Sequence, residues 1–249
     1  MRRLIEADMH RVLTKIVPWV LLLLCYVVTA VATLTGIDTS SDRNFFVLSN
    51  IETGFKLSIS IIGFATLLGI YADEYKSMVM IGVIGRGISR DKFVLGKFGD
   101  LCVMTFLMEF LTVAFLMMLK VLLGAVFSPL ENRFLVILFT LGFIETVSYV
   151  TLAAFFYFLS ENAAVGMFAY LTFVTIIPVT LSLILSTGNF GRLELGKYYL
   201  TGMISAAFSD FVMGDYAEGM GFTLLAIAVY ILCSLGITIL VFRKKELEF

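Results

Sequence analysis

Six apolar stretches alternate with polar connections along the chain, near residues 16–35, 54–72, 101–126, 134–159, 163–185 and 221–242. A helix rises 1.5 Å per residue, so about 20 residues cover the ~30 Å hydrocarbon core of a bilayer. The pattern predicts an all-α integral membrane protein with six transmembrane helices in a single domain over 1–249. Ahead of the first stretch, residues 1–15 place Ile5, Met9, Val12 and Leu13 on one helical face, continued by Ile16. Arg3, Glu6, His10, Arg11 and Lys15 fill the rest, the signature of an amphipathic helix lying in a membrane interface. Between the last two stretches, Leu200, Ile204, Phe208, Phe211 and Val212 recur at helical spacing, so the 186–220 connection is expected to hold one or two short helices.

Composition agrees with this reading. The chain has 249 residues, 60% hydrophobic and 15% charged, with mean hydropathy +1.00, values outside those of soluble domains. Net charge is −1, which leaves no overall basic footprint for nucleic acid. Where the charges fall says more. With the N-terminus placed inside, the inner segments hold twelve Lys and Arg and the outer connections hold four: Arg43, Arg133, Arg192 and Lys197. The excess of inner basic residues predicts both termini in the cytoplasm of a multi-pass plasma-membrane protein, with 186–220 outside.

Several chemistries lack their residues. There is no GxxxxGK followed by Ser or Thr, so no phosphate cradle for ATP, and Arg90 stands where Gly85-Arg86-Gly87 would need a third glycine. The one histidine, His10, precedes the first span, and no GxSxG or HExxH occurs. Cys25, Cys102 and Cys233 lie far apart in apolar runs, the placement of small buried hydrophobes rather than of a disulfide framework. No catalytic residue, cofactor site or metal site is expected in this chain.

Two carboxylates fall inside spans. Glu109 shares a helical face with Thr105, Thr112 and Lys120, and Glu145 shares one with Ser148 and Tyr149. A charge facing lipid at that depth costs about 2.5–3.5 kcal/mol on insertion scales, so both faces should turn toward protein or water. They read either as the polar lining of a substrate path or as interhelical hydrogen bonds. The 24 phenylalanines and 12 methionines suit an adaptable apolar cavity and lipid-facing surfaces equally well.

The segment 73–97 is charged and punctuated by glycine, with Lys76, Arg86, Arg90, Lys92 and Lys97 around an apolar middle too short to span. A short helix ending at Gly85-Arg86-Gly87 is expected, followed by Ser89 as the cap of the helix entering the third span, with Asp91 in its first turn. At these residues the chain resembles the six-span membrane subunit of type-2 ABC transporters (ATP-binding cassette exporters). The resemblance rests on Glu74-Tyr75, Ile88-Ser89-Arg90 and Gly96-Lys97, although Ser77-Met78-Val79 replaces the Gly-Thr usual after Glu-Tyr.

The resemblance implies a cytoplasmic coupling helix at 73–97 docking on a separately encoded ATPase, with Glu74, Tyr75, Met78, Met80, Ile81, Ile84, Arg86, Ser89 and Arg90 as coupling residues. It also implies two cytosolic ATPase subunits that bind the ATP, and a second permease chain, identical or related, with the pathway at the interface between the two. Amphipathic or antimicrobial peptide is the cargo suggested by size, for export or self-immunity. Export of drugs or lipids is an alternative. Two further readings from other classes stay open: an ion-coupled secondary transporter using Glu109 and Glu145, and a membrane sensor or scaffold that transports nothing.

Overall fold

A computed structural model describes residues 2–36, 43–72, 79–186, 199–213 and 218–244. It is all-helical over those residues, in the order α1 (Arg2–Leu13), α2 (Ile16–Gly36), α3 (Arg43–Tyr71), α4 (Val79–Gly85), α5 (Arg90–Leu122) and α6 (Pro129–Ser160). There follow α7 (Ala163–Leu171), a π-helical turn Thr172–Ile176, α8 (Ile177–Ser186), α9 (Leu200–Met213) and α10 (Glu218–Lys244). Among the described residues, six helices are long and apolar enough to cross a membrane: α2, α3, α5, α6, the α7–α8 pair and α10.

The helices start and stop for local reasons. Ser128 caps α6: its hydroxyl accepts from the Glu131 N–H while the Glu131 carboxylate accepts from the Ser128 N–H, with Pro129 at the first helical position. Asn162 caps α7 through its side-chain oxygen and the Ala164 N–H, at 2.9 Å. The π turn ends at Ile176, two residues before Pro178 in the first turn of α8. Proline lacks the N–H that would bond four residues back and crowds that carbonyl, and a widened turn relieves the crowding. The Tyr199 hydroxyl donates to the Phe173 carbonyl within the turn.

One helix boundary differs from the sequence reading. The connection expected to run to residue 53 is helical from Arg43, because Val47, Ile51 and Phe55 recur every fourth residue and are buried. The third long helix begins at Arg90, directly after Ser89 as expected, and Lys97, part of the charged 73–97 segment, lies buried inside it. On α1, Val12 and Asp8 are buried whereas Leu13 is exposed, as is Ile16 at the start of α2, so the inward face is rotated toward Asp8 from the expected stripe. In the 186–220 connection α9 is present, with Leu200, Ile204 and Ala207 buried. Any helix over 187–198 falls outside the described residues.

The core sits on α3 and α6. Of their most apolar windows 61% and 56% is buried, against 6% for α7–α8, 17% for α10 and 28% for α2. Close backbone approach organises this core at Gly63, where Tyr170 lies so near that an added Cβ would sit 2.1 Å from its ring. The Tyr170 hydroxyl can therefore reach the α3 backbone and donate to the Ile59 carbonyl at 2.8 Å. The bundle thus has two distinct ends, one carrying α1 and α4 and the other carrying α9.

Candidate functional site

At the α4 end, charged side chains tie helix termini together. Helix α1 lies across the end of α3. Lys15 Nζ donates to the Gly69 carbonyl at 2.7 Å, and Arg11 Nη2 donates to that of Ile70 at 3.5 Å. Both cations sit at a helix C-terminus, where unpaired carbonyls and the helix dipole favour positive charge. On the same face of α1, Lys97 of α5 donates to Asp8 Oδ2 at 2.6 Å, with the lysine 1% exposed. Asp100 Oδ2 is 4.0 Å from the same ammonium, and Arg11 is 3.6 Å from Asp8.

Arg90 closes the third side. Its Nη1 donates to the carbonyls of Phe242 and Arg243 at the end of α10, at 3.0 and 3.1 Å, and the guanidinium stands over the Phe242 ring. Asp91 adds a two-pronged ion pair with Arg243. Beneath these, Phe93, Phe158, Phe242, Tyr71 and Tyr157 pack in one aromatic cluster of tilted and edge-to-face rings.

Helix α4 is attached to this platform through Met80, which is 2% exposed and joins the main apolar core, with Val83 and Ile84 packed beside it. Gly82, Arg86 and Gly87 are exposed. Gly87 has φ +90°, the left-handed conformation glycine tolerates, so the chain reverses sharply between α4 and α5. Ser89 occupies the cap position of α5 without a side-chain cap bond, and Asp91 lies in the first turn as expected. Among the coupling residues inferred from the family resemblance, Met80 and Ile84 face the bundle, Arg86 faces outward and Arg90 is engaged with α10. Glu74, Tyr75, Met78 and the side chain of Ile81 lie outside the described residues.

The two carboxylates of these apolar helices occupy different settings. Glu109 is fully buried, and its Oε1 accepts from the Thr146 hydroxyl at 2.7 Å. Glu109 Oε2 and Thr105 Oγ1, one helical turn apart, have no hydrogen-bond partner among the described residues. Thr112, on the same face, shares a 3.1 Å bond with the Tyr26 hydroxyl of α2. Glu109, Thr105 and Thr112 thus form a buried seam between helices.

Glu145 opens onto space. A cleft of about 460 Å³ lies between α3, α6, the π turn and α9, walled by Ile59, Leu141, Val174 and Ile204. Glu145 lines it and accepts from the Thr201 hydroxyl at 2.9 Å. Tyr149, buried behind, bonds the same hydroxyl at 2.7 Å and accepts from the Thr201 N–H at 3.2 Å. At its margin Lys56 pairs with Glu52 at 2.6 Å. Ser148 turns back to the Ile144 carbonyl and does not line the cleft.

Sequence reasoning assigned no site role to Asp8, Lys97, Asp100 or Thr201. Lys97 and Asp100, three residues apart in an apolar helix, carry a legible signal. Asp8 and Thr201 do not, because their partners lie 89 and 52 residues away. Among the described residues no cluster of His, Cys, Asp and Glu suits a metal ion. Set against models of protein families and against curated proteins, the chain matches none. The fold therefore defines an all-helical protein with six helices able to span a membrane, and the chemistry of its two ends has to speak for its role.

Proposed function

We propose that this chain is the membrane-spanning permease subunit of an ATP-driven ABC exporter, with its α4 end in the cytoplasm. One observation carries the reading: a short helix, α4, lies between the second and third long helices, packed into the core by Met80 and followed by a left-handed turn at Gly87. A push on the outward side of α4 would pass through Met80 into the core and through the turn into α5. The ties from α1 to α3 and α5, and from Arg90 to α10, would make α3, α5 and α10 respond together. Two cytosolic ATPase subunits would bind the nucleotide and press on α4 of each of two permease chains. The fifth spanning segment, α7–α8, is only 6% buried within the chain. That suits a helix pair covered by a second copy or a related chain across the translocation path. Amphipathic or antimicrobial peptide remains the cargo we favour, with drugs or lipids as the alternative within the same class.

A second reading is favoured by the seam at Glu109. Its unpartnered oxygen and that of Thr105 are buried polar groups of the kind that mark ion or proton paths in ion-coupled carriers. Efflux of a labelled amphipathic peptide from cells making the chain and its ATPase separates the two. The exporter reading expects efflux to stop on ATP depletion and to persist with an uncoupler. The opposite pattern would replace it with the ion-coupled carrier.

A further inference from the structure

We propose that the cleft beside α9 is a binding site for amphiphiles carrying a single protonated amine. The site is built within one chain, so it would serve a sensor or a carrier as well as an exporter, and it does not rest on the exporter reading. The cleft holds two carboxylates and one ammonium, and the ammonium of Lys56 already pairs with Glu52. Glu145 is left as the one carboxylate of the cleft that makes no ion pair among the described residues, with Lys56 acting on it only from a distance.

Its surroundings fix where a cation would go. Oε1 is held by the Thr201 hydroxyl, and that hydroxyl is held in turn by Tyr149. The carboxylate is thereby oriented from behind, which leaves Oε2 to meet a ligand. A cation there would gain a charge-assisted hydrogen bond in surroundings poorer in water than the surface. Ser205, which also lines the cleft, offers a hydroxyl to a second N–H of a primary amine.

The remaining walls fix the rest of the ligand. Ile59, Leu141, Val174 and Ile204 present an apolar surface, and about 460 Å³ lies within the range of small-molecule sites, ~300–1,000 Å³. A chain of eight to twelve carbons can lie against them with its amine on Glu145. A fatty acid of the same length would bring like charge to Glu145, and an alcohol would gain only the apolar contact.

The test uses the purified full chain in lipid nanodiscs, titrated by calorimetry with decylamine, decanol and decanoate, with empty nanodiscs subtracted. Wild-type protein should bind decylamine saturably, decanol at least tenfold more weakly, and decanoate not at all. Glu145→Gln keeps the shape and the bond to Thr201, and should bring decylamine down to the level of decanol. Glu145→Asp should keep the preference for the amine. Ser205→Trp should block the cleft and weaken decylamine and decanol together. Equal decylamine binding by wild type and Glu145→Gln would overturn the proposal. So would decanoate binding as well as decylamine, or no saturable binding of any of the three.

Discussion

The two ends of this bundle use polar side chains in opposite ways. At the α4 end they are spent on one another and on helix termini: Lys97 on Asp8, Lys15 and Arg11 on the end of α3, Arg90 on the end of α10. At the α9 end Glu145 and Thr201 face a cleft that none of the described residues fills. The first arrangement resists deformation, since moving α1 would strand a buried charge. The second leaves room for an occupant. On the readings proposed above, one end would transmit a displacement and the other would receive a molecule.

The comparison breaks most visibly at Lys97. Lys97→Met leaves Asp8 and Asp100 buried without the ammonium between them, and breaking a buried pair costs about 3–5 kcal/mol. Thermal unfolding in detergent should show a correspondingly large loss of stability. A melting temperature equal to wild type would mean that α1 is not clamped to α5. Next comes Gly63→Ala, whose new methyl group would meet Tyr170; overpacking of this kind costs about 1–3 kcal/mol.

Tyr170→Phe keeps the ring and loses only the bond to the Ile59 carbonyl, worth about 0.5–1.5 kcal/mol. Ile59 walls the cleft and Val174 follows Tyr170 by one helical turn, so this variant should also weaken decylamine binding, by a few-fold. Unchanged binding would detach the cleft from the Tyr170 contact. Glu145→Gln should leave the melting temperature close to wild type while removing the amine preference, which separates binding from stability at the α9 end. The smallest effect belongs to Arg243→Ala. Its pair with Asp91 is exposed, and surface pairs are screened by salt. A slight drop in melting temperature that vanishes at high ionic strength is expected; a large, salt-independent drop would place that pair among the buried ties.

The fold was legible in the sequence to the extent that it depends on runs of apolar residues. Six such runs became six helices long enough to span, and the segment after Tyr71 holds a short helix broken at glycine. Boundaries were less legible. Arg43, Asn44 and Glu52 read as a polar loop, yet the spacing of Val47, Ile51 and Phe55 already carried the helix backward. In the site, the face holding Thr105, Glu109 and Thr112 was readable because one helix supplies all three.

The cleft was not readable, because Glu145 acquires its character from Thr201 on α9 and from the gap beside Ile59, and no periodicity encodes a gap. Lys97 misled for a related reason. Beside Gly96 it resembles a surface residue of a docking segment, and only the arrival of Asp8 from the far end of the sequence makes its burial tolerable.

The most direct test of the central claim is ATP hydrolysis by material purified through a tag on this chain from the cells that make it, comparing wild type with Arg86→Glu. Arg86 is exposed beside α4, so its reversal should spare the fold. The account predicts that the wild-type preparation hydrolyses ATP through a companion subunit, and that the variant loses most of that rate while the chain melts at the same temperature. A wild-type preparation with no ATPase activity, or a variant hydrolysing at the wild-type rate, would contradict it.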